Sequence, residues 1–407
     1  MMNNTPRANR MHIGIFGKRN VGKSSLINAI TNQDIALVSK TKGTTTDPVY
    51  KSMEILPIGP VVIIDTAGID DTGELGELRV DKTLKVLDKT DIAIILIDSK
   101  EDNLQYEKNI IKMMNKENIP ILGVLNKIDI NNKDTKKLEK ELDIEFFKVS
   151  AKTKRGIDKL KNRISDFSKE VEYEKKVIIA DKVEKNDVIV HVVPIDEAAP
   201  KGRLILPQVQ TIRDVLDNHG INIVVQDTEL KETIKLFGDK VKLVITDSQA
   251  FGRIKDIVPK YIYLTSYSIL FARYKGELSQ FIKGIKNIQE LNEEDTILIS
   301  EACTHHRQKG DIGKDKIPKF LQEISNKKLN FQWSSGLNMP DDISKYSMII
   351  HCGGCMINRK EMMNRVKKAN IQNIPIVNYG IFLAYKHDIL SRALEIFPEE
   401  RKILYGE

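Results

Sequence analysis

The chain has 407 residues, 41% hydrophobic and 30% charged, a balance that excludes a disordered or fibrous protein and leaves room for two or three domains. Its net charge of +7 is small for this length and gathers in no window, so charge alone does not argue for nucleic-acid binding. Only three cysteines, no apolar run near the ~20 residues of a membrane span and a polar opening from Met1 to Arg7 exclude a disulfide-stapled scaffold and predict a cytoplasmic protein that engages neither membrane nor nucleic acid.

Strand-like and helix-like runs alternate from residue 11 to about 168. His12–Phe16, Val61–Asp65, Ile92–Asp98, Pro120–Asn126 and Phe146–Ser150 are short Ile/Leu/Val-rich runs, most of them ending in a polar residue. Such runs suit parallel strands covered on both faces, whose carboxyl ends carry ligand chemistry. A helix is expected from Lys23 to Thr31. The charged stretch Lys169–Lys176 reads as a linker or a solvated helix end. Beyond it, Val188–Pro194, Ile221–Val225 and Val241–Thr246 read as strands and Ile205–Asn218 as an amphipathic helix. Thr296–Ser300, Met348–His351 and Pro375–Asn378 are the strands of a third unit.

Gly17-Lys18-Arg19-Asn20-Val21-Gly22-Lys23-Ser24 fits the phosphate loop G-x-x-x-x-G-K-[ST], between a strand and a helix as that motif requires. The amides from Gly17 through Val21 and Gly22 to Ser24 and Ser25 would surround phosphate oxygens at a helix N-terminus. Lys23 reaches the β and γ phosphates, and the Ser24 hydroxyl binds Mg²⁺. Asp65-Thr66-Ala67-Gly68 matches D-x-x-G, with Asp65 on the Mg²⁺ side and the Gly68 amide facing the γ-phosphate. Asn126-Lys127-Ile128-Asp129 matches N-K-x-D. The Asp129 carboxylate accepts from N1–H and N2–H₂ of guanine, donors that adenine lacks, so the motif selects GTP and GDP. Ser150-Ala151-Lys152 resembles the last guanine element, with the Ala151 amide meeting the base oxygen.

The loop Thr41-Lys42-Gly43-Thr44-Thr45-Thr46-Asp47-Pro48 looks like a switch that closes on Mg²⁺ and γ-phosphate, with Thr45 as the expected ligand and Thr44 and Thr46 as alternatives. Gly68 is followed by Ile69, not by a glutamine that could orient the attacking water. The phosphate loop is similar to that of potassium-activated GTPases, in which an asparagine at the place of Asn20 helps hold K⁺ beside the phosphates. That resemblance makes Lys23, Asn20 and Thr45 the expected catalytic set.

All three cysteines fall in the last third, as Cys303-Thr304-His305-His306 and His351-Cys352-Gly353-Gly354-Cys355, each after a strand. Thiolates are soft ligands for an iron–sulfur cluster or for zinc, and the two chemistries are evenly matched on residues alone. Three cysteines suit a 4Fe–4S cluster with one iron left open. His305, His351, Glu301, Asp311, water or an incoming metal complex are the candidates for that position. A dithiol at Cys352 and Cys355, or three buried cysteines without metal, are the plainer readings.

The GTPase elements together with C-x-H…H-C-G-G-C resemble the HydF family, the maturation GTPases of iron–iron hydrogenases. The stretch Asp196-Glu197-Ala198-Ala199-Pro200-Lys201-Gly202-Arg203-Leu204-Ile205-Leu206-Pro207-Gln208 is similar to that family's middle domain. The resemblance implies an α/β chain: a P-loop GTPase domain (1–170), a dimerisation domain (177–265) and a cluster-binding domain (266–407). It implies GTP hydrolysis with Mg²⁺ and K⁺, and a 4Fe–4S cluster on Cys303, Cys352 and Cys355. It implies a homodimeric scaffold that receives a diiron precursor made with the radical-SAM maturases HydE and HydG and delivers it to the hydrogenase apoprotein. The alternative is a potassium-dependent GTPase of tRNA modification or ribosome assembly with a zinc site near its C-terminal end.

Overall fold

The computed structural model describes residues 6–31, 48–66, 83–172, 177–195, 202–302, 311–336, 339–340 and 342–406. The chain divides into two compact units, residues 1–175 and 176–407.

The first unit runs β1 (Met11–Phe16), α1 (Lys23–Thr31), β2 (Val49–Ile55), β3 (Gly59–Asp65), β4 (Ile92–Asp98), α2 (Gln105–Lys116), β5 (Ile121–Asn126), α3 (Lys136–Leu142), β6 (Phe146–Lys148) and α4 (Ile157–Glu172). Its sheet has the order β2-β3-β1-β4-β5-β6, parallel except for β2, which pairs antiparallel with β3. Successive side chains of each central strand enter opposite cores. Ile13 and Ile15 of β1 pack with Leu26 and Ile27 of α1 and with Leu160 and Ile164 of α4. Phe16 of β1 and Ile95 and Ile97 of β4 pack on the other side with Ile110, Ile111 and Met114 of α2. Each such side chain stabilises the fold by about 1.5–3 kcal/mol. The continuous apolar runs of β1, β3, β4 and β5 follow from burial on both faces.

The second unit contains two four-stranded, all-parallel sheets. The first has the order β10-β9-β7-β8, from β7 (Val188–Val192), β8 (Ile221–Val225), β9 (Val241–Thr246) and β10 (Tyr263–Ser266). Helices α5 (Leu206–Asp217) and α6 (Leu230–Phe237) connect its strands, and α7 (Tyr267–Lys275) and α8 (Leu278–Lys286) follow it. The second sheet has the order β12-β11-β13-β14, from β11 (Thr296–Glu301), β12 (Asn330–Ser335), β13 (Met348–His351) and β14 (Ile376–Asn378). Its helices are α9 (Ile317–Ser325), α10 (Arg359–Ile371) and α11 (Tyr379–Lys386), and α12 (Pro398–Tyr405) ends the described chain. One hydrophobic core joins both sheets, taking in Val190, Leu243, Phe271, Phe281, Ile299, Ile350, Phe382 and Phe397. Three helices of this unit begin at a polar side-chain cap. Ser266 Oγ accepts from Ile269 N, Asn358 Oδ1 from Glu361 N and Asn378 Oδ1 from Gly380 N.

Three strands carry no strong sequence signal. β2, β10 and β12 lie at sheet edges, and polar or exposed residues interrupt them, as in Asn330-Phe331-Gln332-Trp333-Ser334-Ser335. An edge strand needs only one paired side, so no continuous apolar run is required of it.

Candidate nucleotide and metal sites

In the first unit the described nucleotide elements lie at the carboxyl ends of the parallel strands β3, β1 and β5, with the end of β4 between the last two. The phosphate loop leaves β1, Asp65 and Thr66 end β3, and Asn126 ends β5. Lys23 is buried, and its Nζ donates to the carbonyls of Gly17 and, at 3.0 Å, of Lys18. The ammonium therefore stands inside the loop that would cradle phosphate. Ser24 is half-buried and Ser25 exposed at the start of α1. Asp65 is 1% exposed, and Thr66 Oγ1 donates to Ile15 O at 2.7 Å, tying β3 to β1.

Asn126 joins the phosphate loop to the guanine elements. Its Nδ2 donates to Val21 O at 2.9 Å, and its Oδ1 accepts from the Ala151 amide at 3.0 Å. Gly22 sits beneath it at φ +100°, where a Cβ would come within 2.5 Å of Asn126 Nδ2. The expected role of the Ala151 amide on the base oxygen thus meets a competing use, since here that N–H holds Asn126. Asp129 is exposed, and its Oδ1 accepts from Ser150 Oγ at 2.6 Å, a bond that lowers its pKa. The side chain stays an anion and acceptor over the working pH range. Lys152 is exposed beside it.

Lys127 bridges two neighbours. Its Nζ donates to Asn20 O at 2.7 Å and to Asp98 Oδ2 at 2.6 Å. Burial pushes the Asp98 carboxyl up, but the Lys127 hydrogen bond, the Lys100 N–H and both positive charges reverse this and hold it below its ordinary value. Asn20 itself adopts φ +63°. Asp98 carries no motif, yet it is the polar residue that ends β4, the same signal that marks Asp65 and Asn126. Thr44, Thr45, Thr46 and Gly68 lie outside the described residues, as does Ile69.

In the second unit β11 and β13 are parallel neighbours with Ser300 paired to His351. Their carboxyl ends therefore open side by side. Ala302 N donates to Cys352 Sγ at 3.1 Å, Gly354 N reaches the same sulfur at 3.5 Å, and Cys352 N donates to Ser300 O at 2.9 Å. A sulfur that accepts two backbone amides is in surroundings that favour a thiolate, as metal ligation requires. Gly354 makes the turn at φ +62°, where a Cβ would meet Met362 Cε at 2.3 Å, and a Cβ on Gly353 would meet nothing within 4 Å. The Cys352–Cys355 loop is thus open on one side and backed by amides on the other, which fits a thiolate-held cluster. Burial, and then the charge of Cys352, push the Cys355 thiol up to about 11. A metal that binds it must displace that proton. Among the described residues no group of three or more His, Cys, Asp or Glu side chains is poised to hold a metal ion. Cys303, His305 and His306 lie outside them.

The described residues that the sequence offers as further metal ligands differ in their commitments. His351 is buried, its Nδ1 lies 2.7 Å from Cys352 O and its Nε2 lies 3.0 Å from Arg365 Nη1. A guanidinium only donates, so Nε2 accepts and Nδ1 carries the proton. Both ring nitrogens are engaged. Arg365 in turn bonds Glu361 Oε1 at 2.9 Å in the interior and Gly336 O at 3.1 Å at its half-buried margin. Glu301 is 3% exposed at the end of β11 and accepts from Tyr379 OH at 3.4 Å. Burial, then the charges of Cys352, Glu301 and Asp311, raise Tyr379 well above its ordinary value and keep it a neutral donor. Asp311 is half-buried, and its Oδ1 caps the next helical turn at Lys314 N, 2.9 Å away. Arg365, Tyr379 and Asp98 were not singled out by motif; only the fold brings them to these sites.

Residues 12–127 match the 50S ribosome-binding GTPase family. Residues 178–276 match the hydrogen maturase F dimerization domain and residues 279–396 the hydrogen maturase F tetramerization domain. GTPase Der of Wolinella succinogenes is 38% identical over 165 residues, covering 38% of this chain and 35% of its own length. The tRNA modification GTPase MnmE of Chromobacterium violaceum is 35% identical over 158 residues, covering 39% of this chain and 34% of its own length. The chain thus spans about a third of the length of these curated relatives, a likeness at the level of the GTPase domain. The G domain of the T. maritima FeoB iron transporter aligns with 23% identity over 39% of this chain and 99% of that chain, at a TM-score of 0.32.

The parallel sheet, the phosphate loop and the guanine elements at its strand ends define the first unit as a P-loop GTPase domain. The two matches that follow it in the chain together span more than half of its length. The chain belongs to the hydrogen maturase F family. The tetramerization match falls within the 266–407 segment, for which the sequence suggested a cluster and left assembly beyond a dimer open.

Proposed function

We propose that this protein is a GTP-hydrolysing scaffold of iron–iron hydrogenase maturation, which carries a diiron precursor on a 4Fe–4S cluster and passes it to the hydrogenase apoprotein. The observation that carries the reading is the Ala302 N–H to Cys352 Sγ bond of 3.1 Å. It joins Ala302, the residue that precedes Cys303 in the chain, to the sulfur of Cys352, 50 residues further along. Cys303, Cys352 and Cys355 hold the cluster, which supplies an iron with one exchangeable position. A carrier needs such a position to take up and release its cargo. The buried Glu301 and the half-buried Asp311, both carboxylates near the ends of β11 and β13, are the candidate side-chain ligands among the described residues. His351, with both nitrogens engaged, ranks below them.

In this reading residues 1–170 bind and hydrolyse GTP, 177–265 pair two chains and 266–407 bind the cluster. The phosphate loop residues Gly17 to Ser25 hold the phosphates, and Ser24, Asp65 and Thr45 hold Mg²⁺. Gly68 senses the γ-phosphate, and Asn126, Lys127, Asp129, Ser150, Ala151 and Lys152 read the base. Asn20 helps place a K⁺ whose charge stabilises the transition state together with Lys23. The maturases HydE and HydG supply the precursor, and the GTP state gates partner exchange through the switch loop. The protein acts in the cytoplasm; among the described residues no helix is long and apolar enough to cross a membrane.

Iron, acid-labile sulfide and zinc in anaerobically reconstituted protein test the metal reading. About four irons and four sulfides per chain, lost when Cys303, Cys352 or Cys355 is changed to Ala, are expected. Stoichiometric zinc without sulfide overturns it. GTPase rates that are equal in KCl and NaCl overturn the K⁺ role of Asn20. Equal partner affinities in the GTP- and GDP-bound forms overturn the gating.

A further inference from the structure

We infer that Lys275 is the fixed counter-charge of the cluster site and sets the potential at which the cluster accepts an electron. This rests on the cluster reading above and adds to it a residue that no motif marks.

Lys275 ends α7 and is 2% exposed, a rare environment for an ammonium. Its Nζ donates to Ile357 O at 3.1 Å, two residues beyond Cys355. Ile357 N donates back to Gly354 O at 3.2 Å, so the turn bearing Cys355 closes over the same spot. Arg359 clamps this loop to the helix end, its Nη1 donating to Tyr274 O at 2.8 Å and to Gly276 O at 3.0 Å and its Nη2 lying 3.4 Å from Glu277 Oε1. The ammonium is therefore held against the chain that follows Cys355, and Arg359 fixes that chain to the helix end that carries Lys275.

A 4Fe–4S core on three thiolates is an anion, and one electron from an external reductant adds a further negative charge without breaking a bond. A cation fixed in the dry interior stabilises the reduced form more than the oxidised one. Without Lys275 the couple must move to a more negative potential. A methionine there keeps the apolar stem of the side chain and removes the charge together with the hydrogen bond to Ile357 O, whereas arginine keeps a charge and a donor.

The test uses full-length wild-type, K275M and K275R proteins, reconstituted anaerobically, assayed for iron and sulfide, and titrated with dithionite and mediators under EPR. K275M, loaded with iron and sulfide as wild type is, should reduce at a potential more negative by at least about 59 mV, a tenfold change for one electron. K275R should stay near wild type. An unchanged potential in loaded K275M, or an equal shift in K275R, overturns the inference. Should K275M fail to load, K275R decides: loading at the wild-type potential supports the counter-charge, and failure of both assigns the position to packing. A wild-type protein that holds no cluster overturns the scaffold reading itself, which separates the two failures.

Discussion

Lys127 Nζ lies 2.6 Å from Asp98 Oδ2 while it donates to the Asn20 carbonyl at 2.7 Å, so the end of β4 braces the phosphate loop through a residue of the guanine motif. The pair is about a quarter exposed, at 31% and 22%. Its worth is therefore that of a screened ion pair, about 1 kcal/mol or less. Asp98→Asn should weaken GTP and GDP binding by up to about fivefold, equally for both, in a calorimetric titration. The Asp98 pKa is depressed below 3.8, so the contribution is present above that value and is lost only as pH falls through the lower one. Affinity should not change from this source between pH 8 and about pH 5. A loss confined to GTP would show that Asp98 acts on the γ-phosphate instead.

Asp129 reads two donors with one carboxylate. Asp129→Asn replaces an acceptor by a donor and leaves a guanine donor facing it. Guanine nucleotides should lose roughly a hundredfold or more in affinity. Xanthine nucleotides, which carry an oxygen in place of the 2-amino group, should bind the variant better than GTP does. Competition between the two on the variant checks it, and retained GTP preference would remove Asp129 from base recognition.

Arg365 and Glu361 form a buried pair, with 5% and 7% side-chain exposure, and Arg365 also holds His351. Arg365→Met leaves Glu361 without its cation in the interior. Stability of the second unit should fall by about 3–5 kcal/mol in denaturant titration. The double variant Arg365→Met with Glu361→Gln should recover part of it.

His191 is buried between Tyr267 OH at 3.1 Å and Asn222 Oδ1 at 2.6 Å. Burial lowers its pKa from 6.5 to about 4, against the Asn222 bond, which raises it. The unfolded chain therefore binds the proton first as pH falls. The neutral side chain's contribution is complete above pH 6.5, shrinks between 6.5 and 4, and by linkage amounts to at most about 3 kcal/mol. The urea midpoint should fall between pH 7 and pH 4.5, and His191→Gln should flatten that fall. An equal fall in the variant would assign it to other groups.

Much of the first unit was legible because its signals are local. Parallel strands buried on both faces must be apolar throughout, so β1, β3, β4 and β5 stand out as runs, and the polar residue ending each run marks the edge where ligands bind. The edge strands β2, β10 and β12 were not legible, because one unpaired side relaxes the demand for apolar residues. Asp98 could have been found by the strand-end rule applied to β4. Lys275, Arg365 and Tyr379 could not, since each sits in or at the start of a helix with no motif.

By itself the sequence determined the α/β class, the GTPase elements in their order and the family resemblance, because these depend on residue type at fixed spacing along the chain. Tertiary structure alone decided which side chains meet. It set β11 beside β13, so that Ala302 reaches the sulfur of Cys352, and it turned both nitrogens of His351 to other partners. It also brought Lys275 against a segment more than 75 residues further along the chain. Strand order and helix packing join residues far apart in sequence, and no local pattern of side chains encodes that distance.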